Sequence, residues 1–293
     1  VALLGRDADF QVGVTTRLPT DGATLVPTVA EAVALWNARP AGEAGLIVLM
    51  DNDRFEEDLT GADAVILGEG SALAIVSADW PEEDASGGGT QRRVGTLSAR
   101  DRRAAFVGPM EIVTDAILGA ALPNRFAMNG LLMDGALTFE GAAGTAFGRI
   151  DLAHLGTSPS HTLTLSNAAI EDGLTLTRCI TGRLNLGTVE TDLHIVQTIV
   201  DGNGGPAVTA SAVDLDVNGS TLIGATGAGE VEAVDTIFDG PLVAERTQAG
   251  CLQYSYYAPI GSRTPRRYRC QPDLALEGLD DEEPGFGDRE RGQ

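Results

Sequence analysis

The sequence predicts an all-β solenoid of stacked parallel strands, and three observations carry that prediction. From about residue 64 to 258 the apolar residues come in short stretches of four to six, each ended by Gly or Asn, with no helical period. The endings repeat, as Leu132-Met133-Asp134-Gly135, Ile199-Val200-Asp201-Gly202 and Ile237-Phe238-Asp239-Gly240, with looser copies at Ile170-Glu171-Asp172-Gly173 and Leu222-Ile223-Gly224. Beside them sit alternating apolar pairs, Leu163/Leu165, Leu193/Ile195, Leu215/Val217 and Val231/Ala233, with polar or small residues between, as a period-two strand requires.

The glycines at 135, 173, 202, 224 and 240 lie 38, 29, 22 and 16 residues apart, too irregular for propeller blades. A solenoid tolerates that scatter, because its strands stack while its loops vary, and loop closure costs little more as a loop lengthens. Coils of about 20–25 residues would give roughly eight to ten in this zone. The competing fold is an antiparallel sandwich, in which the Asp-Gly pairs would be hairpin turns about every 8–12 residues.

The elements follow in order. Residues 1–43 read as an N-terminal extension with the one convincing helix, over Val29–Asn37. Thr28 is placed to cap it, and Glu31 stands at the spacing of a capping box. Asn37-Ala38-Arg39-Pro40 stops it. Residues 44–258 are the solenoid, opened by the buried strand Gly45–Met50. Residues 259–275 are a basic, Pro-punctuated segment, and 276–293 are an acidic tail expected to be disordered.

Composition narrows the function. Among 293 residues, 20 are basic and 42 acidic, a formal net charge of −22, and every basic residue is Arg. That balance argues against a broad nucleic-acid surface and against docking on anionic lipid. Missing Lys with excess acid fits a halophile's surface, while a GC-rich genome explains the missing Lys alone. The longest apolar stretch, about Ala44–Met50, is too short for a membrane span. Val1 is no initiator Met and Val1–Leu4 no signal core, so the chain reads as processed or excised, with no secretory signal in view. Assembly in the cytoplasm and residence in an extracellular particle both stay open.

The helix, the Gly-rich turn, the strand Gly45–Met50, then Phe55–Leu59 and Leu73-Ala74-Ile75-Val76 resemble the entry of pectin-lyase-like right-handed parallel β-helices. In those proteins a short helix covers the open first coil. The ending Gly250-Cys251-Leu252-Gln253-Tyr254-Ser255-Tyr256, followed by Ser262–Pro272, resembles more narrowly a group of uncharacterised prokaryotic β-helix proteins associated with phage-tail-like contractile injection particles. The resemblance spans roughly 10–275. It implies a right-handed parallel β-helix with a capping helix and a structural role, and it carries over no activity.

Enzymes of this fold use carboxylates on neighbouring coils, as acid and base or as calcium ligands, with an Arg for the developing anion. The candidates are Asp172, Asp201 and Asp239, with Asp134 in the same series; the competing reading is an Asp-Gly turn, in which Asp bonds its own backbone and Gly takes positive φ. His154, His161 and His194 lack ligand spacing, so no metal site is expected. Asp201-Gly202-Asn203-Gly204-Gly205 and Asp214–Asn218 could hold calcium but lack the nonapeptide repeat of such sites, and otherwise no cofactor is implied. Gly87-Gly88-Gly89 lacks the Lys and spacing of a phosphate loop and reads as a flexible loop. Cys179 reads as a small core residue, whereas Cys251 and Cys270 could close a disulfide or remain thiols.

The most unusual segment is compositional. All four Tyr of the chain, Tyr254, Tyr256, Tyr257 and Tyr268, stand beside Arg263, Arg266, Arg267 and Arg269. Tyr and Arg are favoured at docking surfaces. The alternative is a cap, with rings on the last coil and Arg paired to the protein's own acid. The expectation is therefore a non-enzymatic structural or recognition component, which the narrower resemblance associates with a phage-tail-like particle. Its binding residues would be Tyr254, Tyr256, Tyr257, Arg266, Arg267, Tyr268 and Arg269, and its partners subunits of an assembly or a surface glycan. The alternative is a polysaccharide lyase or glycoside hydrolase.

Overall fold

Strict alternation sends every second side chain of a strand to one side, and in this chain those side chains meet in the middle of a rod. The computed structural model describes residues 4–17, 24–99 and 102–276. Its main sheet has 26 strands, all paired in parallel, wound into three faces of a β-helix. Face A begins with the short strand Leu25–Val26, paired with Phe10–Val14, both inside the expected N-terminal extension. Phe10–Val14 in turn pairs in register with Ala44–Leu49.

The inward register of face A then runs Val12, Ile47, Ile75, Met128, Leu152, Leu176, Ile195, Val217, Ala233, Leu252 and Arg267. Eight of these rungs lie between residues 64 and 258, so the fold is the parallel β-helix and the sandwich is excluded. Face B carries the strands that end in the Asp-Gly pairs, Leu132–Asp134, Ile199–Asp201 and the start of Ile237–Ala244. Face C carries Met110–Thr114, Leu137–Gly141, Leu163–Ser166 and Leu184–Gly187.

Helix α1, Val29–Asn37, packs Val29, Ala32, Val33 and Trp36 on the first coils. Thr28 caps it, accepting from the Glu31 N–H at 3.1 Å. Glu31 lies in the first turn, but the carboxylate on the helix's free N–H groups is a different one. The Glu57 carboxylate takes the N–H groups of Val29 and Ala30, at 2.9 and 2.6 Å, where the helix dipole favours negative charge. Trp36 lies over Gly45, where no side chain would fit, and its Nε1 donates to Ile66 O at 2.8 Å.

Ala44–Leu49 and Ala72–Ser77 are buried along their whole length because both of their sides are covered. The rod core covers one side. A second cluster with Leu4 and Trp80, beside an antiparallel arm of Glu82–Asp84 and Thr90–Arg92, covers the other. Asp79 holds this arm through Arg92 and Arg102, at 2.9 and 3.0 Å. Gly87-Gly88-Gly89 forms its turn, with positive φ at Gly88 and Gly89.

The corner between faces A and B is one device repeated. Gly130, His154, Arg178, Gln197, Gly219, Asp235 and Tyr254 each have positive φ, and each donates its N–H to a carbonyl of the next coil. Arg269 ends the series with φ 51°. The residue after each corner turns inward, and from Cys179 onward these are Cys179, Thr198, Ser220, Thr236, Ser255 and Cys270, all buried. For three of them a hydroxyl of the next coil partners the N–H inside the rod. Cys179 N–H donates to Thr198 Oγ1, Thr198 N–H to Ser220 Oγ and Thr236 N–H to Ser255 Oγ, at 3.0–3.1 Å. An unpartnered N–H there would cost about 1–3 kcal/mol.

Candidate functional site

The Tyr/Arg segment divides in two at the last coil. On the terminal strand Arg266–Tyr268, side chains alternate, so Arg267 takes the inward position below Leu252 while Arg266 and Tyr268 point out. Arg267 closes the core. Its guanidinium lies 5.1 Å from the Tyr257 ring, and it donates to Asp273 at 2.6 Å and to Thr264 at 2.9 Å. Tyr257, 6% exposed, donates to the same Asp273 at 2.9 Å. Burial, then the bond to Asp273, pushes the Tyr257 hydroxyl above its ordinary pKa, and the Asp273 bond raises that of Arg267. Arg263, though exposed, is tied to the preceding coil, by Ala244 O and the Glu245 carboxylate.

The other half faces out. Tyr254, Tyr256 and Tyr268 are 52%, 41% and 51% exposed. The Tyr254 and Tyr268 rings meet edge to face at 5.7 Å, and the Arg269 guanidinium lies 6.0 Å from the Tyr268 ring. Arg266 and Arg269 form no ion pair among the described residues. A groove of about 470 Å³ runs between Tyr254, Tyr256, Asp235, Arg269 and Gln271. A second, of about 380 Å³, lies beside Arg267, Tyr268, Arg269 and Asp273. The segment is thus a cap through Arg263, Arg267 and Tyr257, and an open polar-aromatic surface through the rest.

Cys251 and Cys270 are separate free thiols. Register keeps them apart, since Cys251 faces Arg266 at the start of its strand while Cys270 takes the inward corner position after Arg269. Cys270 Sγ is spent on Leu252 O at 3.3 Å. Burial raises the pKa of the Cys179 thiol, leaving it a poor nucleophile.

The aspartate series does not form a cluster. Asp134, Asp201 and Asp239 share one outward column on face B, but Ser158 and Gly182 separate the first two and Ile223 the last two. At roughly 4.8 Å per rung, no two of them are neighbours. Asp172 sits at a different corner, next to Gly173 and the face A strand that follows. Asp201 makes the expected turn, accepting from Asn203 N–H at 2.8 Å, and Asp134 meets His161 at 2.9 Å. The glycines serve a purpose other than positive φ, which Gly135, Gly202 and Gly240 do not have. A Cβ on Gly135 would strike Gly108 of the coil below, and one on Gly240 would strike Gly224, so the corner needs glycine for close backbone approach.

Carboxylates do gather elsewhere, at the corner between faces C and A. Asp192, Asp214 and Glu230 stand on three successive rungs in direct register. Asp192 and Asp214 line an open groove of about 510 Å³ with Glu171, Glu190 and Glu245. Arg246 enters it, bonded to Asp214 and 3.6 Å from Glu230. One column over, His194 lies 3.4 Å from Asp216, with Glu232 on the next rung. A further pair, Glu111 and Glu140, flanks the earlier coils. Its shared hydrogen bond, then burial and the neighbour's charge, raises the Glu140 pKa. Among the described residues no group of three or more His, Cys, Asp or Glu is arranged to hold a metal ion. None of the described helices is long and apolar enough to cross a membrane.

Compared with family models, curated proteins and solved structures, the chain matches none.

Proposed function

We propose that this chain is a non-enzymatic structural or recognition component whose C-terminal end docks a neighbouring subunit. Within that reading it serves a phage-tail-like contractile injection particle, as a rod of the pectin-lyase-like kind. The observation that carries the docking is the division of the Tyr/Arg segment. Arg263, Arg267 and Tyr257 are consumed in closing the rod, whereas Arg266, Arg269, Tyr254, Tyr256 and Tyr268 keep their hydrogen-bonding and stacking capacity for a partner. Exposed Tyr, and Arg without an ion pair among the described residues, on a protein of net charge −22 favour an acidic partner, which the rest of the surface would repel.

The test is capture of the native complex with Arg266→Glu and Arg269→Glu together. Loss of the complex is expected, with the rod still folded by circular dichroism. An undiminished complex ends the proposal.

A second reading is a polysaccharide lyase or glycoside hydrolase, favoured by the stacked Asp192, Asp214 and Glu230 beside Arg246 at an open groove. Carboxylates on adjacent rungs approach the separation such chemistry uses, about 5–9 Å. Here the groove would cleave a polysaccharide, and Asp214→Asn would abolish that cleavage while leaving docking intact. Absence of reducing ends or unsaturated products from a panel of acidic and neutral polysaccharides would dismiss it.

A further inference from the structure

The terminal strand Arg266–Tyr268 pairs with Cys251–Gln253 on one side, and no described strand lies on its other side. Its outer N–H and C=O groups therefore form a sheet edge, the kind that accepts another strand. We propose that this edge takes up an extended acidic segment of a partner protein as one further strand of face A. The proposal rests on the reading that the C-terminal end is the docking end, and adds the occupant and the way it binds.

Three features select that occupant. The residues that would flank an added strand on its outward side are Arg266, Tyr268 and Arg269, and neither Arg has an acid of its own among the described residues. An incoming strand alternates its side chains in the same way, so its outward positions would lie across from Arg266 and Tyr268. Acidic residues there would meet Arg266 directly and reach Arg269 at the corner just beyond Tyr268. The groove beside Arg267, Tyr268, Arg269 and Asp273 provides room at this end.

A second copy of the chain fits poorly. At the N-terminal end helix α1 fills the core and the two-residue strand Leu25–Val26 already pairs Phe10–Val14, so a second rod finds almost no edge to continue head to tail. End-to-end contact of two C-termini would set Arg266 and Arg269 against their own copies.

The experiment uses the full chain and a fluorescein-labelled octapeptide of alternating Glu and Val, followed by anisotropy. Binding is expected, and the same peptide with Lys for Glu should not bind. Methylating alternate backbone nitrogens of the Glu peptide, which removes its strand hydrogen bonds, should weaken it at least about tenfold. Arg266→Gln with Arg269→Gln should do likewise without disturbing the fold. Equal binding of the methylated peptide, or of the doubly substituted chain, overturns strand addition. If the native complex is lost in the Arg266→Glu, Arg269→Glu chain while the methylated peptide binds as well as its parent, docking at this end stands and strand addition falls.

A last arm tests the chain's own acid. If the peptide binds only after Asp280, Asp281, Glu282 and Glu283 are changed to their amides, the edge belongs to that run and the partner segment is refuted.

Discussion

At its N-terminal end the rod is closed by a helix that lays Val29, Ala32, Val33 and Trp36 on the first coils, whereas at the C-terminal end the inward place of the last rung is held by an arginine. The first closure is apolar, and its polar needs are met locally by Thr28 and Glu57. The second is an amphipathic stem folded over Tyr257 with its charge held by Asp273. An arginine can end an apolar column because its stem packs while its head stays wet. The difference teaches where interaction surface arises. At the first end Leu25–Val26 pairs the edge of Phe10–Val14 while the helix fills the core. At the second a single inward Arg seals the core while no described strand pairs the far side of Arg266–Tyr268.

The strongest way to break this comparison is at the helix. Trp36→Ala should cost about 3–5 kcal/mol in chemical denaturation, the range for deleting a buried aromatic. A loss below about 1 kcal/mol would mean the helix decorates the rod rather than closing it. At the other end, Arg267→Ala should cost about 1 kcal/mol, from lost stacking on Tyr257 and an unpaired Asp273. Arg266→Ala and Arg269→Ala should stay within about 0.5 kcal/mol of the parent, as exposed positions do. If all three arginines weigh equally, the division between sealing and docking is wrong.

A chemical count sharpens the same end. The unreduced chain should show three titratable thiols after denaturation and essentially none while folded, since Cys179, Cys251 and Cys270 are all buried and free. One thiol on denaturation would mean a covalent staple that the register of Cys251 and Cys270 opposes.

The smallest expected effect lies on the flank, away from both ends. Glu140 has a raised pKa in the fold, so above the ordinary carboxylate range the native chain binds a proton that the unfolded chain has released. Stability therefore falls as pH rises through that window. Glu140→Gln should flatten this slope, measured by denaturation across the mildly acidic range, and an unchanged slope would clear the Glu111–Glu140 pair of any part in it.

Much of the rod is written locally. Leu193/Ile195 and Leu215/Val217 point inward as their alternation demands, and Thr28 caps the helix it precedes. Stacking is written nowhere locally. Asp192, Asp214 and Glu230 come into line because of the loop lengths between their coils, and no fixed spacing announces them. The same cause misleads with Asp134, Asp201 and Asp239, whose motif repeats while other coils intervene. Phe10–Val14 escapes notice because a lone strand gains its meaning from a partner more than thirty residues away. In the Tyr/Arg segment composition marks the place, but alternation along Arg266-Arg267-Tyr268 decides which arginine is spent.

The repeated corner between faces A and B has one more consequence. Each coil makes the same bend and the same N–H bond to the next, from Gly130 through Tyr254, so a whole coil is interchangeable at that seam. Gain or loss of one such unit would shift the two ends relative to each other by one strand spacing, about 4.8 Å, without redesign of either. The molecule is in that sense a graduated ruler, its reach set in fixed steps and its end fittings conserved while the shaft changes.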